Sequence, residues 1–338
     1  MTRLSRRVCS LCFMAALFAI TWPIPGADAQ ETEGPRVKVD IAAGTWISWG
    51  ETRWAHNASG AGSPLGNPTS KLIYEDHSTN VAELTAKVSV GPRFFARLNL
   101  GYAAIGSGQL TDNDYLAADG GNPSLTTQSD INGNSMFYLN ADAGARVMNF
   151  ANHRGWFDAF AGFQYWHQEY QAYGVRQVNC TNAGATVDLG GGQTLCNPIA
   201  APIPNTVLAI TNTTNWYSIR VGGQIEYQLT RRFGVQGSLA FLPLSIMETN
   251  DTHHLRSDLQ QNPSFSMDGI GVGADVDVGA KFMVIRNLFL NVGYRLWWNY
   301  MIDGTLTNHP VGGPSESFPL TQFQSYRHGL TAGINYVF

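Results

Sequence analysis

Residues 326–338 read YRHGLTAGINYVF. Taken alternately, one face carries Tyr326, His328, Leu330, Ala332, Ile334, Tyr336 and Phe338. The other carries Arg327, Gly329, Thr331, Gly333 and Asn335. A β-strand turns successive side chains to opposite faces. The run therefore describes a strand with one apolar, aromatic-ended wall and one small or polar wall. A strand with lipid on one side and a polar lumen on the other needs that division.

The same period recurs upstream. Residues 288–300 set Leu288, Leu290, Val292, Tyr294, Leu296, Trp298 and Tyr300 against Asn291, Gly293, Arg295 and Asn299. Residues 270–282 set Ile270, Val272, Ala274, Val276, Val278, Ala280 and Phe282 against Asp275, Asp277 and Lys281. Comparable runs occupy 94–104, 137–147 and 217–227. Between them the breaks alternate in length. Short ones lie at Gly91–Arg93, Asn149–Gly155, Thr230–Arg232 and Ile285–Asn287, and long ones at 51–69, 110–131, 174–213, 250–266 and 307–321. Short turns on one side and long loops on the other mark an up-and-down transmembrane barrel. The expected fold is all-β: an antiparallel barrel of about ten strands, closed because lipid tolerates no unpaired strand edge. The inward Arg97, Asp142, Arg146, Asp158, Arg220, Asp275, Asp277, Lys281 and Arg295 are expected to pair, since buried charges need partners. A soluble sandwich would not repeat this division in strand after strand.

Composition agrees. Charged residues make up 14% of the 338 and the formal net charge is −4, so no basic stripe for nucleic acid is present. The hydrophobic fraction of 44% argues against disorder. Arg3, Arg6 and Arg7 precede an apolar stretch, Cys12–Ile20, too short to span a bilayer, and Ala27-Asp28-Ala29 supplies a small-residue cleavage site. Residues 1–29 are thus expected to be an export signal and 30–338 the barrel domain. Two cysteines then remain, Cys180 and Cys196, inside one Gly- and Asn-rich stretch. In an exported chain they are expected to form a disulfide.

Chemistry should reside at the long-loop ends of the strands. Asp112-Asn113-Asp114 places two carboxylates two residues apart, where charge repulsion favours a retained proton. Asn250-Asp251-Thr252-His253 places a histidine two residues from an aspartate, the spacing of an oriented general base. Together the two segments suit the holding and deprotonation of a water. A divalent cation on Asp112, Asp114, Asp251 and His253 is the rival reading.

The chain resembles the omptins, ten-stranded outer-membrane proteases of Gram-negative bacteria, over residues 37–338. The likeness rests on Gly44-Thr45, Ser70-Lys71-Leu72-Ile73-Tyr74, Asp112-Asn113-Asp114-Tyr115 and Asn250-Asp251-Thr252-His253, and the terminal Phe338 resembles the assembly signal of outer-membrane barrels. The resemblance implies an endopeptidase in which Asp112 and Asp114 hold the attacking water, His253 takes its proton and Asp251 orients the imidazole. It implies active-site loops facing outside, polypeptide substrates, a monomer, no metal and no resident cofactor. Lipopolysaccharide on the outer wall is the one molecule on which activity is expected to depend.

The resemblance also marks departures. Omptins that cut beside basic residues carry a Glu in the first loop and an Asp two residues before the dyad aspartate. Here Glu51 lies near the first position and Thr249 occupies the second, so one anion is missing. The family's lipopolysaccharide-contacting Tyr-x-Glu-x-Arg array reads Phe163, Tyr165, His167, which weakens phosphate pairing. Two competing functions follow from the same fold. One is a catalytically silent barrel acting as an adhesin or scaffold. The other is a passive pore, which so narrow a barrel disfavours because open channels need about 16 strands.

Overall fold

Alternating hydropathy reports only the part of a strand that lipid touches, and the backbone ladder here runs well beyond it. The computed structural model describes residues 37–61, 65–116, 121–133, 135–181 and 201–338. Its strands are β1 (Val37–His56), β2 (Ser70–Val90), β3 (Phe94–Ala104), β4 (Ser107–Asp114), β5 (Leu125–Asn132), β6 (Ser135–Phe150), β7 (Gly155–Cys180), β8 (Ile203–Gln228), β9 (Phe233–His253), β10 (Phe265–Ile285), β11 (Leu288–Asn308) and β12 (Glu316–Val337). The longest, β7 and β8, have 26 residues each, where about 9–11 cross a bilayer as a tilted strand.

All twelve strands join one antiparallel sheet, and β1 pairs with both β12 and β2, which closes it. The expectation of ten strands is met in a modified form. β3 and β4 follow one another along β2, and β5 and β6 follow one another along β7. Two in-line pairs reduce twelve segments to ten staves. The alternation did not reveal the interruptions, because each is a local break in a stave whose neighbours continue.

The short turns fall where the sequence puts them, and the long loops are shorter than expected. β1 continues to His56, β4 and β5 occupy most of 110–131, β9 continues to His253, and β12 begins at Glu316. These extensions carry polar residues on both faces, so they lack the lipid signature while remaining paired in the ladder, with register shifts at Ala55–His56 and Gln128–Asp130. Cys180 ends β7 and is disulfide-bonded. The expected export segment, 1–29, and Cys196 lie outside the described residues.

Two layers of side chains meet inside the barrel. In one, Trp46, Tyr138 and Trp166 meet Trp297 edge-on at ring-centroid distances of 5.0, 4.7 and 5.7 Å. All four are fully buried. The other layer holds the charges expected to face inward. Arg97 pairs with Asp142 at 2.7 Å, Arg146 with Asp158 at 2.8 Å and Arg295 with both Asp277 at 2.6 Å and Glu83 at 2.5 Å. Arg220 bridges Asp275 at 3.2 Å and Asp142 at 3.7 Å. At that level the rings meet edge-on across the barrel, which argues against the pore reading.

Arg220 offers a direct check of the ionic layer. Asp142 would keep Arg97 if Arg220 were lost, but Asp275, 2% exposed, would lose its ion-pair partner. Removing one partner of a buried pair typically costs about 3–5 kcal/mol. Arg220→Met should therefore lower the unfolding free energy, read from urea titration of the barrel refolded in lipid vesicles, by an amount of that order, and its midpoint with it. An unchanged midpoint would show that these charges do not hold the barrel.

Candidate active site

A β-bulge sets the geometry of the site. Below it, β2 turns its odd residues inward: His77, Thr79 and Val81 are buried. Opposite Glu51 the strand carries two residues, Glu75 and Asp76, with Asp76 at φ 55°. The extra residue shifts the phase of the strand. Above it the even residues Ser70, Leu72 and Tyr74 face the lumen, and Leu72 and Tyr74 are at most 1% exposed.

β4 lies against this upper segment, with Asp114 opposite Ser70 and Asp112 opposite Leu72. Being two residues apart, both aspartates share the inward face. The Ser70 hydroxyl donates to Asp112 Oδ1 at 3.2 Å. Away across the barrel, β9 turns Thr249, Asp251 and His253 inward on the same period. Asp251 is fully buried, and His253 Nε2 lies 2.9 Å from Asp251 Oδ1, although the two are not aligned as a hydrogen bond. Loose catalytic geometry of this kind is common before a substrate is bound.

The other Asp251 oxygen is firmly held. Oδ2 accepts from the Tyr74 hydroxyl at 2.9 Å and from Asn212 Nδ2 on β8 at 2.8 Å. The Tyr74 bond ties the β2 wall to the β9 wall. Burial, with the Asp251 charge next, pushes the Tyr74 hydroxyl well above its ordinary pKa, so it remains a donor.

Asp112, Asp114 and His253 line one cavity of about 410 Å³, together with His56, Arg256 and a largely apolar wall. Desolvation raises the Asp112 pKa well above the ordinary aspartate value, and the neighbouring Asp114 charge adds to it. Desolvation raises Asp114 as well. Two carboxylates so placed titrate as a unit and retain a proton that isolated aspartates would lose. His56 is a second imidazole in the cavity, 7% exposed with Nδ1 unpartnered. Burial, reinforced by His253, pulls its pKa down to about 4. Among the described residues no group of three or more His, Cys, Asp or Glu side chains is gathered closely enough to hold a metal ion.

The remaining expected site residues fall elsewhere. Glu51 is on the outer face and pairs with Arg53, because Gly50 and Thr52 take the inward positions. It is therefore no part of the cleft. Thr249 does face inward, but it is 2% exposed beneath Asp251, with its hydroxyl 3.3 Å from that of Thr214. His254 points outward to Thr211, at 2.9 Å, as its position beside an inward His253 requires. Phe163, Tyr165 and His167 lie on the outer wall, where Tyr165 donates to Asn215 Oδ1 at 2.8 Å and His167 Nδ1 sits 2.9 Å from the same oxygen. Sequence reasoning did not anticipate Tyr74 or Asn212 as holders of Asp251, nor His56 in the cavity. Tyr74 stood within a motif that carried the family resemblance, but its phase depends on the bulge.

The model of one protein family, the Protochlamydia outer membrane protein, matches residues 48–335. This chain belongs to that family. It is a β-barrel protein of the outer membrane. Among solved structures, it resembles the outer membrane protease OmpT from Escherichia coli, an omptin, at TM-score 0.67 and 16% identity, over 91% of this chain and 99% of that one. That likeness establishes an omptin-like fold for this family member. The translocator domain of the autotransporter NalP from Neisseria meningitidis aligns over 88% of each chain at 10% identity, with a TM-score of only 0.35. No curated protein matches the chain in sequence.

Proposed function

We propose that this barrel is an endopeptidase acting at the cell surface, with the long-loop ends of its strands facing outside. The observation that carries the reading is the convergence of Asp112, Asp114 and His253 on one cavity from walls three strands or more apart in sheet order. Coincidence would rarely bring a carboxylate pair and a His–Asp dyad together across a barrel.

The chemistry then divides simply. The Asp112–Asp114 pair positions a water. His253 Nε2 is directed at Asp251, which leaves Nδ1 to accept the proton as the water oxygen attacks the peptide carbonyl. Asp251, fixed by Tyr74 and Asn212, orients the ring and stabilises the imidazolium. The proton passes on to the leaving amine as the C–N bond breaks, and no covalent intermediate forms. On the outer wall, lipopolysaccharide would meet the rings of Phe163 and Tyr165 and the imidazole of His167 in place of a guanidinium.

The deciding experiment is incubation of refolded protein with a mixed peptide library, with lipopolysaccharide present. The proposal expects discrete cleavage products. Their absence under lipid-replete conditions would favour the silent scaffold.

Tyr74 gives a finer test. Hydrogen bonds to charged groups contribute about 1.5–3 kcal/mol. Tyr74→Phe deletes one such bond to Asp251 while keeping the ring stacked on Tyr170 at 5.2 Å. It should lower kcat about tenfold to a hundredfold with KM nearly unchanged. Loss through KM alone would show that Tyr74 serves substrate contact instead.

A further inference from the structure

Beneath the cleft, two inward positions, one on β1 and one on β9, hold no anion. Thr52 is the inward residue at the first of them, and its hydroxyl lies 3.0 Å from both Tyr170 Oη and Ser325 Oγ. Thr249 is the inward residue at the second, opposite Met267 and Thr214. All of these residues are buried, and the Trp216 indole donates to Ser325 Oγ at 3.2 Å. The space is closed by neutral groups already bonded to one another.

The open volume lies higher, and its walls are largely apolar. Trp54, Leu110, Leu125, Ile210, Leu306 and Phe318 line it. Trp54, Leu110 and Leu306 are at most 1% exposed, so they form a fixed surface. Besides the candidate catalytic groups and the neutral His56, the charged residues among the described lining are Arg256 and Glu316. Arg256 is clamped by Asp258 at 2.7 and 2.5 Å, and Glu316 opens β12 at the exposed rim. A lysine or arginine entering this volume would lose its water against a largely apolar wall, where the carboxylates among the described lining are the Asp112–Asp114 pair engaged with the water and Glu316 at the rim, and it would also face Arg256. That is costly for a charge. An apolar side chain would exchange water for contact with a preformed wall.

We infer that the cleft seats an apolar or aromatic side chain of a peptide next to the bond presented to the Asp–His set, and discriminates against basic ones. The inference rests on the endopeptidase reading for the phrase "next to the bond", but the preference itself is a property of binding. The cavity of about 410 Å³ has room for a phenylalanine or leucine side chain. Leu255 and Phe318, both half-buried at its edge, tune the preference without taking part in proton transfer.

The test uses two fluorescent peptides of one sequence that differ only in a central Phe or Arg. Anisotropy is measured on the full-length His253→Ala barrel in lipid, so that turnover cannot consume the probe. The Phe peptide should bind at least about tenfold more tightly than the Arg peptide. Leu255→Glu and, separately, Phe318→Glu should each narrow that ratio by about tenfold, by placing a carboxylate in the wall. Equal or tighter binding of the Arg peptide overturns the inference, as does failure of both peptides to bind. Cleavage by the wild-type protein is read in parallel. A Phe preference in binding without any cleavage would sink the endopeptidase reading and leave the specificity intact.

Discussion

Replacing His253 with alanine should reduce peptide cleavage by about 10²–10⁴-fold, the usual range for loss of a general base. The barrel should remain folded, because His253 is the last residue of β9 and only half-buried. The ring contributes one edge-on contact with Phe265, at 5.1 Å, but no part of the ladder. His56 is the internal control for this assignment. It lies in the same cavity, and burial keeps it neutral across the physiological range. His56→Ala should retain most of the cleavage activity that His253→Ala loses. A His253→Ala protein that cleaves as fast as wild type would remove His253 from the chemistry, whatever the fold suggests.

How far such a site could be read from sequence depends on the phase of each strand. A spacing of two puts Asp112 with Asp114, and Asp251 with His253, on one face of its segment, although β9 exchanges even for odd inward residues between Leu242 and Ser245, so the phase of its lower part does not carry up to the site. The structure brings Asp112, Asp114 and His253 into one cavity with Asp251 directly behind His253. The lumen charges were legible for the same reason, since an arginine opposite an aspartate on a lipid-facing strand has nowhere else to go. β2 shows where counting fails. Its bulge at Glu75–Asp76 exchanges odd for even, and nothing in the residue pattern reveals that Tyr74 and His77, three apart, both face inward. Glu51 was misplaced by a related slip. The run Gly50-Glu51-Thr52 offers a carboxylate one residue from an inward position, and a one-residue shift carries a side chain to the opposite face. Asn212 was invisible for a different reason. Its role is defined by register with Asp251 on a strand remote in sequence, and register between strands is a tertiary property.

The Asp112–Asp114 pair should reveal itself through opposite effects on activity and stability. Asp112→Asn keeps the shape of the side chain and removes its charge. If the pair aims the attacking water, cleavage should fall by about 10²-fold or more, the scale expected when a reacting group is mispositioned by about an ångström. Stability should move the other way, with a definite pH dependence. The Asp112 pKa is raised in the folded protein by desolvation and by Asp114. The folded state therefore holds the proton more tightly than the unfolded chain does. Below about pH 4, where an unfolded aspartate is also protonated, the carboxyl carries no penalty. As pH rises from there towards the folded pKa, the native state progressively loses stability relative to the unfolded one. Asn carries no such penalty at any pH. The thermal midpoint of Asp112→Asn should thus match wild type near pH 4 and exceed it increasingly towards neutrality. Because the two carboxylates act on one another, Asp114→Asn in the same background should add much less than it does alone. An inactive variant whose stability advantage is equal at pH 4 and pH 7 would show that Asp112 is not held in a strained, proton-sharing pair. A stabilised variant with full activity would show that the pair exists but does not aim the water. Only the combination of lost activity with pH-dependent gain in stability fits a carboxylate pair kept under electrostatic strain for chemistry.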